Sequence, residues 1–137
     1  MPSVFSAVIA GDLPGYFVWQ DEDVVAFLSN APISTGHTLV VPRQEVDNWQ
    51  SVDPELFGKV MRVAQIIGQA VTTAFGAPRA GQLIAGFEVP HLHVHVFPAW
   101  GLGDFSFANA DHAATAEQFE AAAQKIRAAL AGESNSG

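Results

Sequence analysis

Apolar and polar positions repeat along this chain with two periods, and the switches between them mark out its elements. Val4, Phe5, Val8 and Ile9 recur at helical spacing, a short stripe closed by Gly11. Tyr16–Gln20 and Val24–Leu28 then read as two strands around the polar turn Asp21-Glu22-Asp23. After the loop Ser29-Asn30-Ala31-Pro32, Thr38–Val41 reads as a buried strand that Pro42 stops. Asp53 is placed to cap a helix with Pro54 at its first position, and Gly76 is placed to end it after Phe75. Within it Leu56, Val60, Val63, Ala64, Ile67 and Val71 form a core stripe. Residues 78–81 are expected to turn and Gln82–Phe87 to form a strand. A Gly-rich loop spans Ala99–Asp104. Thr115 and Gln118 make a capping box for a last, alanine-rich helix to about Leu130, with Gly132 as its stop and residues 133–137 as a frayed tail.

One stretch carries chemistry. His91-Leu92-His93-Val94-His95-Val96 alternates imidazole and apolar side chains between Pro90 and Pro98. On a strand, residues i, i+2 and i+4 share a face, so the three rings line up about 6.6 Å apart while Leu92, Val94 and Val96 face the core. The chain has five histidines, and three of them fall in these five positions. Three readings follow: an exposed strand face that happens to carry histidines, a metal site, or nucleophilic catalysis. Imidazole is a common zinc ligand. It is also a good nucleophile near neutral pH if an acceptor pins one ring nitrogen, so that the other presents its lone pair.

Composition narrows the field. The 137 residues suit one domain, and 49% hydrophobic with 15% charged residues is the balance of an ordered globular chain. No cysteine is present, which removes disulfides and thiolate metal sites. Neither a signal peptide nor a membrane span is visible, so the expected setting is cytoplasmic. A net charge of −8 with only six Lys+Arg argues against nucleic acid as a partner. A small phosphate ligand remains open, held by backbone N–H groups and imidazoles in a local pocket.

His91-x-His93-x-His95 resembles the signature of the histidine-triad (HIT) family of nucleotide hydrolases and transferases. The likeness extends in order over about residues 3–108, a HIT domain of which residues 109–137 would be the terminal helix and tail. Residues 2–14 resemble the family's opening helix, and residues 21–28 its next strand. Pro32-Ile-Ser-Thr-Gly-His37-Thr-Leu-Val-Val-Pro42 resembles its Pro-x-x-x-Gly-His-x-Leu-Val-x-Pro segment. The resemblance implies an α+β fold with a five-stranded, mostly antiparallel sheet, one long helix and shorter terminal helices. It also implies a homodimer with a continuous ten-stranded sheet.

For chemistry, the resemblance implies attack on the α-phosphate of a purine nucleoside monophosphate conjugate, through a nucleotidyl intermediate on His93. His93 would be pinned by a backbone carbonyl, and His95 would donate to a non-bridging phosphate oxygen, with the leaving group as a second acceptor left open. His91 would orient the strand through a backbone hydrogen bond, and His37 would support them. Glutamine stands in place of His95 in sugar-phosphate nucleotidyltransferase relatives, so a complete triad favours the hydrolase branch. Phe5, Val8, Phe27, Leu28 and Leu39 would wall the base. Ser29 stands at the ribose position, where relatives often carry an acid, with Asn30 beside it. Gly86 and Glu88 approach the phosphate, Glu88 matching a serine or threonine of relatives. Gln82 is the candidate for an amide that relatives carry and that Ala80 replaces here. Trp100 either packs or lids the site.

Many relatives bind zinc through Cys-x-x-Cys in the first helix, a histidine after the Pro42 position, and the triad's first histidine. Ser3, Ser6 and Arg43-Gln44-Glu45 stand at those positions here, so neither a metal nor a cofactor is expected. The competing class is a non-catalytic nucleotide-binding protein with vestigial turnover, for which Ser29, Ala80 and Glu88 are the departures that count. His112 is expected on the surface.

Overall fold

The computed structural model describes residues 2–136. Its elements are α1 (Val4–Ala10), β1 (Phe17–Gln20), β2 (Val24–Leu28), β3 (Thr38–Pro42), α2 (Pro54–Phe75), β4 (Arg79–Leu83), β5 (Val94–Ala99) and α3 (Ala116–Ser136). The strands form one sheet in the order β1-β2-β3-β5-β4, every pair antiparallel.

The sheet's two faces are assigned by alternation. Val24, Ala26 and Leu28 of β2, Val40 of β3, and Val94 and Val96 of β5 point to the face covered by α2 and α3. There they meet Val60, Val63, Ile67 and Val71 of α2 and Ala122, Ala123 and Ile126 of α3. Val25, Phe27, Leu39 and Val41 point to the other face, where Val8 of α1 covers them with Phe5 and Ile9. α1 is only two turns long, so it roofs one end of that face. The triad lies beside it. Val4, placed on the apolar stripe by its spacing, is 47% exposed.

Caps act as their residue types require. Asp53 accepts from the Glu55 N–H with Pro54 at the helix start, and Gly76 closes α2 in the left-handed conformation at φ 65°. Thr115 and Gln118 form the reciprocal box that starts α3.

Three expectations need correction. The fourth strand lies at Arg79–Leu83, earlier than residues 82–87, and takes in most of the stretch expected to turn. Gly81 misleads: it is a strand glycine, needed because a Cβ there would run into the rings of Phe97 and Phe105. The histidine strand begins at Val94, so of the three only His95 is on it; His91 lies at a bend and His93 on irregular chain just ahead of it. Finally, α3 passes through Gly132 and reaches Ser136. Glycine ends a helix only by turning left-handed, and Gly132 is not among the positive-φ glycines. Gly137 of the expected frayed tail lies outside the described residues.

Candidate active site

Each triad histidine is fixed by a different partner. His91 is fully buried, with Nε2 2.8 Å from the Pro42 carbonyl and Nδ1 2.6 Å from Ser3 Oγ. A carbonyl only accepts, so Nε2 carries the proton and the Ser3 hydroxyl donates to Nδ1. His93 Nδ1 lies 2.7 Å from the His91 carbonyl. By the same logic Nδ1 is protonated and Nε2 keeps its lone pair. No buried side-chain nitrogen or oxygen among the described residues lacks a partner. His93 Nε2 has no hydrogen bond to the protein there, so it opens towards solvent.

His95 is set through a relay. The Ile33 backbone N–H donates to His37 Nδ1 at 3.1 Å, which places the His37 proton on Nε2. That Nε2–H then donates to His95 Nδ1 at 2.9 Å, leaving Nε2–H of His95 as a free donor. The His93 and His95 ring centroids are 4.9 Å apart. A lone pair and an N–H are thus presented side by side.

All four rings are held neutral at physiological pH. Burial pushes His37 down to about 3, aided by the neighbouring His95 and His93. Burial likewise takes His95 down to about 4, with His93 adding repulsion. His93 is lowered by burial, partly offset by its bond to the His91 carbonyl and by Glu88. His91 is lowered by burial against the opposing pull of the Pro42 carbonyl and Glu45.

Gly36 lets the loop deliver His37. Its φ is +100°, and its α-carbon lies so close to the Phe75 ring that a Cβ would collide with it. The loop therefore packs on α2 while His37 turns under β5.

The remaining candidates divide. Phe5 meets His93 edge to face at 4.8 Å and Phe27 at 5.7 Å, and Val8, Phe27 and Leu39 form the cluster behind it. Glu88 is exposed but near enough to favour protonated His93. Gly86 bends its loop at φ 76°. Three candidates are elsewhere. Leu28 belongs to the opposite face, one residue out of phase with Phe27. Gln82 pairs with Val96, a residue of the helix face, and its amide reaches Met61 at 3.9 Å. Ser29 Oγ is engaged by the Ala31 N–H, and Ser29 lines a cavity of about 220 Å³ with Phe75, Phe119 and Lys125. Asn30 and Trp100 are exposed, as is His112. The aromatic residue that reaches the triad from the loops after β5 is Phe107, edge to face with His95 at 4.9 Å. Its sequence signal was weak: one of two phenylalanines, with Phe105, in a stretch without a period.

Comparison with known proteins fits this geometry. The family model described as the HIT domain matches residues 10–101. The chain belongs to the HIT family. The protein named Protein hit from Bacillus subtilis is 34% identical over 106 residues, covering 74% of this chain and 73% of its own length. A crystal structure of a Hit-like protein from Bartonella henselae, described as involved in cell-cycle regulation and holding an unknown ligand, superposes with a TM-score of 0.81. It is 31% identical and covers 93% of this chain and 95% of its own. A zinc-bound histidine triad protein from Mycobacterium smegmatis gives 0.84 at 27% identity, covering 98% and 96%. A hypothetical histidine triad nucleotide-binding protein from Sulfolobus tokodaii gives 0.78 at 28%, covering 93% and 91%.

The zinc of the HIT relative prompts a test of fit. Here the candidate donors are two serine hydroxyls, one carboxylate and one imidazole. Both nitrogens of that imidazole are engaged, by Ser3 and by Pro42. Neutral hydroxyls are poor zinc donors, so the residues present do not fit the metal.

Proposed function

We propose that this HIT protein is a nucleotide hydrolase or transferase that acts at an α-phosphate with His93 as nucleophile. The observation that carries the reading is the 2.7 Å bond from His93 Nδ1–H to the His91 carbonyl, which leaves Nε2 as an oriented lone pair. In the first step Nε2 bonds to phosphorus, the bond to the leaving group breaks, and the leaving atom takes a proton from solvent. His95 Nε2–H donates to a non-bridging oxygen as charge builds there. In the second step water adds to phosphorus, loses a proton to solvent and displaces His93. Phe5, Phe27 and Leu39 offer an apolar wall for the base, and the preferred base is a purine. The protein works as a cytoplasmic homodimer.

The test is a quench experiment. The protein is mixed with an adenosine phosphoramidate, stopped in denaturant and read by mass spectrometry for a nucleotidyl adduct on His93. His93→Ala should lose the adduct and several orders of magnitude of turnover. Retention of more than about a tenth of the wild-type rate would refute the assignment. Binding with neither adduct nor product would favour the non-catalytic alternative.

A further inference from the structure

A second network lies behind His91, on the side away from His95, and joins Ser3, Ser6 and Glu45. Glu45 Oε1 accepts from the Ser3 backbone N–H at 2.6 Å and from the Ser6 hydroxyl at 2.7 Å. Ser3 Oγ caps α1 by accepting from the Ser6 N–H at 3.0 Å. The Ser3 hydroxyl hydrogen is thereby left for His91 Nδ1 at 2.6 Å. These contacts join positions far apart in sequence: Ser3 with Glu45, and Ser3 with His91. They tie the α1 N-terminus to the segment after β3 and to the triad.

We propose that Glu45 is a positioning residue: acting through Ser3, it fixes the tautomer of His91 and so the aim of His93, in place of a bound metal. Each link follows from donor and acceptor counting. The carboxylate holds Ser3 and Ser6 in register. Ser3, so held, has one hydrogen to give, and of the two acceptors in reach His91 Nδ1 at 2.6 Å is far nearer than Ser6 Oγ at 3.4 Å. A ring that accepts at Nδ1 carries its proton at Nε2, where the Pro42 carbonyl takes it at 2.8 Å. Two opposite anchors stop the His91 ring and backbone from turning. The His91 carbonyl is the group that orients His93 at 2.7 Å. The ends of this network are backbone groups and a carboxylate on three different segments, so it does the mechanical work of a cross-link.

The kinetic arm of the test rests on the function proposed above; the spectroscopic arm does not. In nitrogen-15 NMR of histidine-labelled protein, His91 should be the Nε2–H tautomer in the wild type and lose that single tautomer in Glu45→Ala. The same variant should lower kcat on an adenosine phosphoramidate by tenfold or more, below the ~100-fold of a 1 Å misplacement, with KM nearly unchanged. Glu45→Gln retains an acceptor oxygen and should restore most of the rate. Ser3→Ala should reproduce the loss. Zinc sulfate added to purified protein and then desalted should leave far less than one metal per chain. An Nδ1–H His91 in the wild type, a Glu45→Ala kcat equal to wild type, a Glu45→Gln as impaired as Glu45→Ala, or stoichiometric zinc would each overturn the proposal. If wild type shows no turnover, the catalytic reading fails, while the tautomer result still decides the role of Glu45.

Discussion

Acidification should unfold this protein through its buried histidine rings. Histidine in an unfolded chain titrates near 6.5. In the fold, burial holds His37 down to about 3 and His95 down to about 4. A depressed folded-state pKa means the unfolded state binds the proton more readily. Stability is therefore complete above about pH 6.5 and is lost as pH falls towards the folded-state values. Between about pH 7.5 and 5.0 the unfolded rings charge while both native rings stay neutral, which costs about 2 kcal/mol for each ring and about 4 kcal/mol for the pair. That is a large share of the 5–15 kcal/mol typical of a domain. The assay is urea unfolding at both pH values and one protein concentration, followed by tryptophan fluorescence and extrapolated linearly. His37→Gln supplies the control, because it removes one titrating ring and leaves every carboxylate in place. Its loss of stability over the same interval should be smaller than wild type by about 2 kcal/mol. Equal losses in the two proteins, within about 0.5 kcal/mol, would refute the claim that His37 is buried neutral.

Other consequences follow from individual contacts. Gly36→Ala combines backbone strain at φ +100° with a collision on Phe75, and calorimetry should show a loss of about 2–4 kcal/mol; an unchanged melting temperature would contradict the close packing. His95→Ala removes the donor aimed at the phosphate and should lower kcat by about 10²–10³-fold, while His95→Gln, which keeps a donor and an acceptor, should retain more activity; equal loss in both would reject a hydrogen-bonding role. Across adenosine conjugates with graded leaving groups, turnover should fall steeply as leaving-group pKa rises, and a flat series would show that His95 delivers a proton. The outer edge of β4, with exposed Arg79, Ala80 and Gln82, borders a groove of about 480 Å³ against Ala64 and Gly68 of α2, a surface suited to a second copy. Light scattering should give twice the monomer mass, and a monomer at micromolar concentration would exclude the paired sheet.

Legibility from sequence followed the reach of the physics. Caps and periodicity are local, so Asp53, Pro54, Gly76 and Thr115 marked helix ends correctly. Alternation placed Leu92, Val94 and Val96 in the core opposite the histidines. It failed where one residue serves two roles. Gly81 looks like a turn in sequence and is a strand residue beneath two phenylalanine rings. The misplaced fourth strand carried Gln82 to the wrong face, and Leu28 was grouped with Phe27 although neighbours on a strand cannot share a wall. The loop after β5 has no period, so Phe107 could not be told from Trp100 before the chain was folded. Ser3 and Ser6 were recognisable as poor zinc donors, but their bonds to Glu45 span positions no local rule connects.

Three of the four histidines have a proton placed by a neutral backbone group. Ile33 N–H sets His37, the Pro42 carbonyl works with the Ser3 hydroxyl opposite it to set His91, and the His91 carbonyl sets His93. Only His95 is set by another ring, and that ring has no freedom to reverse. For His95 to become an imidazolium, its Nδ1 would need a proton where the His37 Nε2–H already points. His37 would then have to carry its proton on Nδ1, against the Ile33 N–H. Leaving one such buried group unsatisfied costs about 1–3 kcal/mol, roughly a factor of 5–150 in population. The same relay that leaves His95 Nε2–H as a free donor therefore keeps the ring neutral, suited to the proposed stabilising of charge on oxygen and poorly suited to acid catalysis. The proposed nucleophile and donor are kept distinct by wiring two adjacent, chemically identical rings in opposite senses: His93 donates at Nδ1, and His95 accepts there.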